Sequence, residues 1–123
     1  MKQLMLSLIL LLLVPLNDAA QTAAPDPSFQ PFWSKFKAAV AANDKEAVAS
    51  MTKLPFLFDS KERTRAEFIK IYPQLFDLKV RKCFPTAKVL KEGDVHEVFC
   101  AKLIFYFGNV DGKYMFTEFA ADY

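Results

Sequence analysis

Phe29, Phe32, Trp33, Phe36 and Val40 recur at steps of three and four, which lays them along one stripe of an amphipathic helix running from Ser28 to about Asn43. Pro31 is compatible with this helix because it falls in the first turn, where its missing N–H would have had no partner. Asn43 and Glu46 have the spacing of a capping pair and predict a shorter helix carrying Ala47, Val48 and Met51 that ends before Pro55. The apolar run over 54–58 has the length of a strand. Thr64 and Glu67 form a second capping box. It opens a helix with Phe68, Ile69, Ile71 and Tyr72 turned inward, and Pro73 begins its continuation through Leu75, Phe76 and Val80 after a kink.

From Thr86 onward the period changes to two. The pattern predicts strands over 86–91, 95–107 and 114–121, joined by turns at Glu92, Gly93 and Asp94 and at Asn109, Val110, Asp111 and Gly112. A middle strand of that length would reach roughly 43 Å if straight, so it has to bend around the rest of the domain. Helices first and an antiparallel meander last is an α+β layout, with N-terminal helices packed on one face of a curved sheet.

Ahead of this pattern, Lys2 and the apolar run over 4–14 are followed by Asn17, Asp18, Ala19 and Ala20, the anatomy of a secretory signal peptide spanning residues 1–20. The run is shorter than the roughly 20 residues that span a bilayer. No cysteine follows it to accept a lipid. The expectation is a periplasmic or secreted protein with no membrane association after cleavage, a flexible tail over 21–27 and a single domain over 28–123. About 100 residues suffice for one core and not for two.

Export bears on Cys83 and Cys100, the only cysteines, because an oxidising compartment favours one bridge between them. A hairpin turning at Glu92, Gly93 and Asp94 places Thr86 opposite Cys100. The bridge therefore requires Pro85 to bend the chain, and the alternative is two buried thiols. One histidine and no close Cys or His pair give no metal-ligand spacing. The formal charge of +2 supplies no basic face for nucleic acid, and the lysines and arginines over 61–82 interleave with apolar positions at helical spacing, as on a solvated helix face. Only three glycines are present, with no phosphate-cradling loop and no nucleophile elbow, so no cofactor is expected.

The opening helix Phe32-Trp33-Ser34-Lys35-Phe36-Lys37-Ala38-Ala39-Val40, the Asn43-Asp44 break, the short Ala47-Val48 helix and a helix carrying Arg65-Ala66-Glu67-Phe68-Ile69 before the terminal strands resemble the nuclear transport factor 2-like superfamily. The resemblance covers about residues 29–123. It implies a cone in which the curved sheet folds around the helices and leaves a pocket at the wide end. The chain is shorter than most members and shows three strands where four or more are common. The superfamily hosts many activities, so the resemblance implies a fold and not a reaction.

If the second hairpin closes as a four-residue loop, Phe107 faces Tyr114, Phe105 faces Phe116 and Leu103 faces Glu118. Glu118 then stands among apolar neighbours, where lost hydration raises a carboxyl pKa toward the range of a general acid or base. Trp33, Phe36, Phe68, Tyr72, Phe105, Tyr114 and Phe116 are the candidate lining of an apolar pocket. Most of the thirteen phenylalanines are needed simply to fill the core. His96, next to the first hairpin turn and on the face opposite Glu118 by alternation, is expected to be solvated, and Asp77 to lie on a helix's polar side. The leading expectation is a non-catalytic exported binding or interaction domain whose partner is an apolar small molecule or a protein. The alternatives are an isomerase or cyclase-like enzyme using Glu118, with Tyr72, Tyr106 or Tyr114 as hydrogen-bond donor, and a structural homodimer pairing through the outer sheet face.

Overall fold

The computed structural model describes residues 23–122, so the signal-peptide expectation for residues 1–20 falls outside the described residues. The chain enters through a 3₁₀ turn, Pro27–Phe29, into helix α1 (Gln30–Ala41). Asn43 takes φ of +52° to end α1, and the cap of α2 (Lys45–Ser50) is Asp44 rather than Asn43, its carboxylate accepting the Ala47 N–H. The apolar run at 54–58 does form a strand, β1 (Phe56–Phe58). It pairs with β2 (Lys61–Arg63), which carries no apolar alternation and was not expected.

Helix α3 (Arg65–Leu75) starts at the Thr64–Glu67 capping box and runs through Pro73. The break comes after it, where the Asp77 carboxylate accepts the Val80 N–H at 3.0 Å and starts α4 (Leu78–Cys83). Asp77 is therefore a cap and not a residue of the helix's polar side. After a second 3₁₀ turn, Phe84–Thr86, come β3 (Lys88–Glu92), β4 (Val95–Cys100), β5 (Leu103–Val110) and β6 (Lys113–Ala121), an antiparallel meander in the order β3-β4-β5-β6. Among the described residues the architecture is α+β, four α-helices with a two-stranded and a four-stranded sheet.

The expected long middle strand is two strands. Ala101 and Lys102, with φ of +52° and +62°, make a two-residue turn that sets Cys100 opposite Leu103. Residues paired across a hairpin share a face, so the alternation along β4 is reversed relative to a continuous strand. His96, Val98 and Cys100 accordingly join Phe105 and Phe107 under the helices, while Val95, Glu97 and Phe99 turn outward. The second hairpin also closes more tightly than expected, with Asp111 and Gly112 at positive φ and Val110 opposite Lys113. Phe107 then faces Phe116 and Tyr106 faces Glu118, with Thr117 as the extra residue of a bulge whose hydroxyl donates to the Tyr106 carbonyl at 3.2 Å.

Under the sheet the aromatic side chains pack on one another. Phe36 meets Phe107 edge-on at 4.9 Å, Phe84 meets Phe105 edge-on at 5.1 Å, and Tyr72 stacks on Phe76 at 4.9 Å. Each such pair contributes about 0.5–1.5 kcal/mol beyond its buried area. Both edges of the large sheet are partly covered. Met51 and Lys53 exchange backbone hydrogen bonds with Phe116 of β6, and Ala23 exchanges both of its own with Lys91 of β3 at 2.7 and 2.9 Å. The described part of the expected flexible tail, Ala23 to Pro27, is thus tied to the sheet.

Cys83 and Cys100 form a disulfide with Cα atoms 5.7 Å apart. The 3₁₀ turn containing Pro85 carries the chain off the sheet before β3 begins, so Cys83 approaches Cys100 from the end of α4 rather than as a strand neighbour. The bridge closes a loop with a sequence separation of 17, and replacing both cysteines by serine is expected to lower the unfolding free energy by about 3 kcal/mol, read from urea melts of the oxidised protein and the double variant.

Candidate functional site

Polar chemistry gathers at the end of the sheet that carries the turns Gly93–Asp94 and Asp111–Gly112. It starts from Asp26, which precedes the 3₁₀ turn. Its Oδ1 accepts the Ser28 N–H at 3.0 Å and the Ser28 hydroxyl at 2.9 Å, and its Oδ2 lies 3.7 Å from Lys91 Nζ. The Ser28 bonds, with Lys91 adding to them, hold the Asp26 carboxyl below its ordinary value. Ser28 Oγ is in turn 3.1 Å from the Tyr114 hydroxyl.

Beneath this chain of contacts lies His96, 1% exposed. Its ring stacks on Phe29 at 4.0 Å and meets Tyr114 edge-on at 5.5 Å. The Asp26 backbone N–H donates to His96 Nε2 at 3.0 Å. An accepting Nε2 places the proton of the neutral ring on Nδ1, which has no partner among the described residues. Burial pushes the His96 pKa down, Lys91 pushes it further and Asp26 opposes both. The ring is therefore neutral and its one lone pair is already used, which makes it an anchor for the N-terminal segment and removes it as a general base.

Two hollows open on either side of Tyr114. One, of about 450 Å³, is walled by Asp26, Lys91, Asp94, Val95, Gly108, Asn109 and Tyr114, three of them charged. The other, of about 390 Å³, lies between α1, the end of α2 and the start of β6, with Phe32, Met51, Tyr114 and Met115 as its apolar surface. Of the expected pocket residues only Tyr114 lines either hollow. Trp33, Phe36, Phe68, Tyr72, Phe105 and Phe116 are buried in the core instead.

Glu118 is exposed on the outer face of the sheet, across from Tyr106, because the bulge at Thr117 adds one residue to β6 and reverses the expected parity, whereas the tighter hairpin shifts the register by two and leaves it unchanged. That face carries Glu92, Glu97 and Glu118 together with Lys88 and Lys113. Burial raises the Glu97 pKa, with the neighbouring Glu92 carboxylate adding to it, and burial followed by Glu97 and Glu118 raises that of Tyr106. Tyr72 is fully buried, its hydroxyl has no partner among the described residues, and burial pushes its pKa up to about 12. Among the described residues no group of three or more His, Cys, Asp or Glu side chains could hold a metal ion, and no helix is long and apolar enough to cross a membrane.

The sequence reading missed His96, Asp26, Ser28 and Lys91 as a group. The signal available for two of them was the Asp26-Pro27-Ser28 spacing, an Asx-type cap immediately before the aromatic stripe.

Two outcomes are expected from these environments. The folded-state pKa of His96 lies below the ordinary 6.5, so its stabilising effect is complete above about pH 6.5 and is lost as acidification protonates the unfolded chain first. Unfolding free energy should fall as the pH drops below about 6.5, and His96→Gln, which keeps an acceptor but cannot titrate, should flatten that slope in denaturant melts. Tyr72→Phe removes a buried hydroxyl that makes no hydrogen bond, so it should leave stability unchanged or raise it by about 1 kcal/mol in the same measurement.

No protein-family model, no curated protein and no solved structure matches this chain.

Proposed function

We propose that this chain is a small exported binding domain of nuclear transport factor 2-like type, without catalytic machinery, which takes a small ligand at its surface beside Tyr114 rather than in an interior pocket. The observation that carries the reading is the contrast between a core filled with stacked rings and the two hollows that meet at Tyr114. The helices covering one face of a four-stranded antiparallel meander are consistent with the superfamily. The run over 4–14 after Lys2, together with the Cys83–Cys100 pair, supports export.

The isomerase or cyclase alternative loses its specific residue, since an exposed Glu118 has neither the desolvation nor the enclosure that a general base requires.

Export is tested by N-terminal sequencing of the protein recovered outside the cytoplasm, with the first residue expected between Ala20 and Pro25. An intact Met1 in a membrane fraction would count against it. Binding is tested by titrating ¹⁵N-labelled protein with indole and cyclohexanol. Saturable shifts should centre on Tyr114 and weaken at least tenfold in Tyr114→Ala. Shifts at Phe68 and Phe105 with none at Tyr114 would overturn the surface site.

A further inference from the structure

We infer that the ligand of the hollow between α1, α2 and β6 is a small amphipathic anion, a carboxylate or sulfonate carrying a short aliphatic or aromatic body. This rests on the reading of a binding surface at Tyr114 and specifies what that surface selects.

The hollow has an apolar interior and a cationic rim. Phe32 of α1, Met51 after α2 and Tyr114 of β6 are half-buried and packed against the core, and half-buried Met115 of the edge strand β6 completes the apolar lining. Phe32 is fixed by Phe29, Phe36, Phe107 and Tyr114, with ring centroids between 5.7 and 6.3 Å apart. The two methionines, unbranched and polarisable, can adapt to ligands of differing shape.

Around this surface stand Lys35, one turn along α1 from Phe32, and Lys113, the first residue of β6. Both are exposed, and among the described residues neither takes part in an ion pair, in contrast to Lys61, Arg65 and Lys91. Ser28 and Ser50 also line it, with their hydroxyl protons given to the Asp26 carboxylate and the Glu46 carbonyl, and no acidic residue contributes to the lining. Acidic side chains next to the lining already have cationic partners, Asp26 in Lys91 and Glu46 in Arg65, and Asp94 lines the neighbouring hollow.

The charge arrangement selects the ligand's sign and the apolar surface selects its body. A neutral hydrocarbon would leave two lysines unanswered, and a cation would be repelled by both. The volume of about 390 Å³ sits at the lower end of the range for small-molecule sites, which fits a single short-chain molecule and is too small for a protein segment of several residues.

Three probes of one length separate the possibilities: octanoate, octanol and octylammonium, each titrated against the full exported protein at about 50 mM and about 500 mM salt with Tyr114 and Met115 amide shifts as the readout. Octanoate should bind about five- to tenfold more tightly than octanol, lose that advantage at high salt, and exceed octylammonium by more. In the Lys35→Met, Lys113→Met double variant octanoate should fall to the affinity of octanol, octanol itself being unchanged, with an unaltered thermal midpoint reporting intact folding. Equal binding of octanoate and octanol at Tyr114 would overturn the anion inference while leaving the surface site standing. Absence of saturable binding by any of the three would overturn both. Binding to phosphatidylglycerol vesicles without binding to dispersed octanoate would overturn the inference in favour of a lipid surface.

Discussion

Much of this structure depends on the backbone at Ala101 and Lys102. Both residues sit at positive φ in a two-residue turn, which lets the strands on either side pair with their natural right-handed twist. Because that turn decides which residues of β4 face the helices, it also decides that Cys100 meets Cys83 and that His96 is buried against Phe29. A residue inserted or removed there would carry His96, Val98 and Cys100 to the opposite face together. The disulfide and the histidine anchor are therefore not independent features, since each requires the same register.

The second determinant is the volume of the aromatic side chains. Rings from α1, α3, the turn after α4 and the inner face of β5 and β6 fill the space that a cone-shaped fold could leave open. Closely packed interiors resist the partial removal of contacts that an internal ligand would demand. The hollows lie instead at the perimeter, where the entering segment and the residues after α2 cross the sheet edges. Tyr114 belongs to both regions, packed against the core on one side and bounding both hollows on the other.

The helices were legible because their signals are local. The stripe from Phe29 to Val40 and the Thr64–Glu67 box act within a few residues of where they are read, and α1 and α3 begin as that spacing requires. The sheet was legible only in outline. Ala101 and Lys102 are not residues that favour positive φ, so nothing at those positions announced a turn, and the strand on either side appeared continuous. From that one omission followed the wrong face for His96. The shorter second hairpin moved the partners by two residues without changing faces, and the one-residue bulge at Thr117 then put Glu118 on the side opposite to the expected one. The site itself was largely hidden, since Asp26, Ser28, Lys91, His96 and Tyr114 come together only through the strand order and the docking of the entering segment. Tyr114 alone was anticipated.

The two ends of the described chain leave the sheet at opposite poles. Ala23 is held at Lys91, beside His96 and the hollows, whereas the Asp122 N–H donates to the Lys102 carbonyl at 2.8 Å, beyond the far end of β4. The separation along that strand is roughly 17 Å. For anyone attaching the protein to a resin, a fluorophore or a fusion partner, the poles are not equivalent. A tether at the carboxyl side of Asp122 leads away from Tyr114, while one at the amino side of Ala23 starts next to the hollows and pulls on the two hydrogen bonds that seat Ala23 against the sheet.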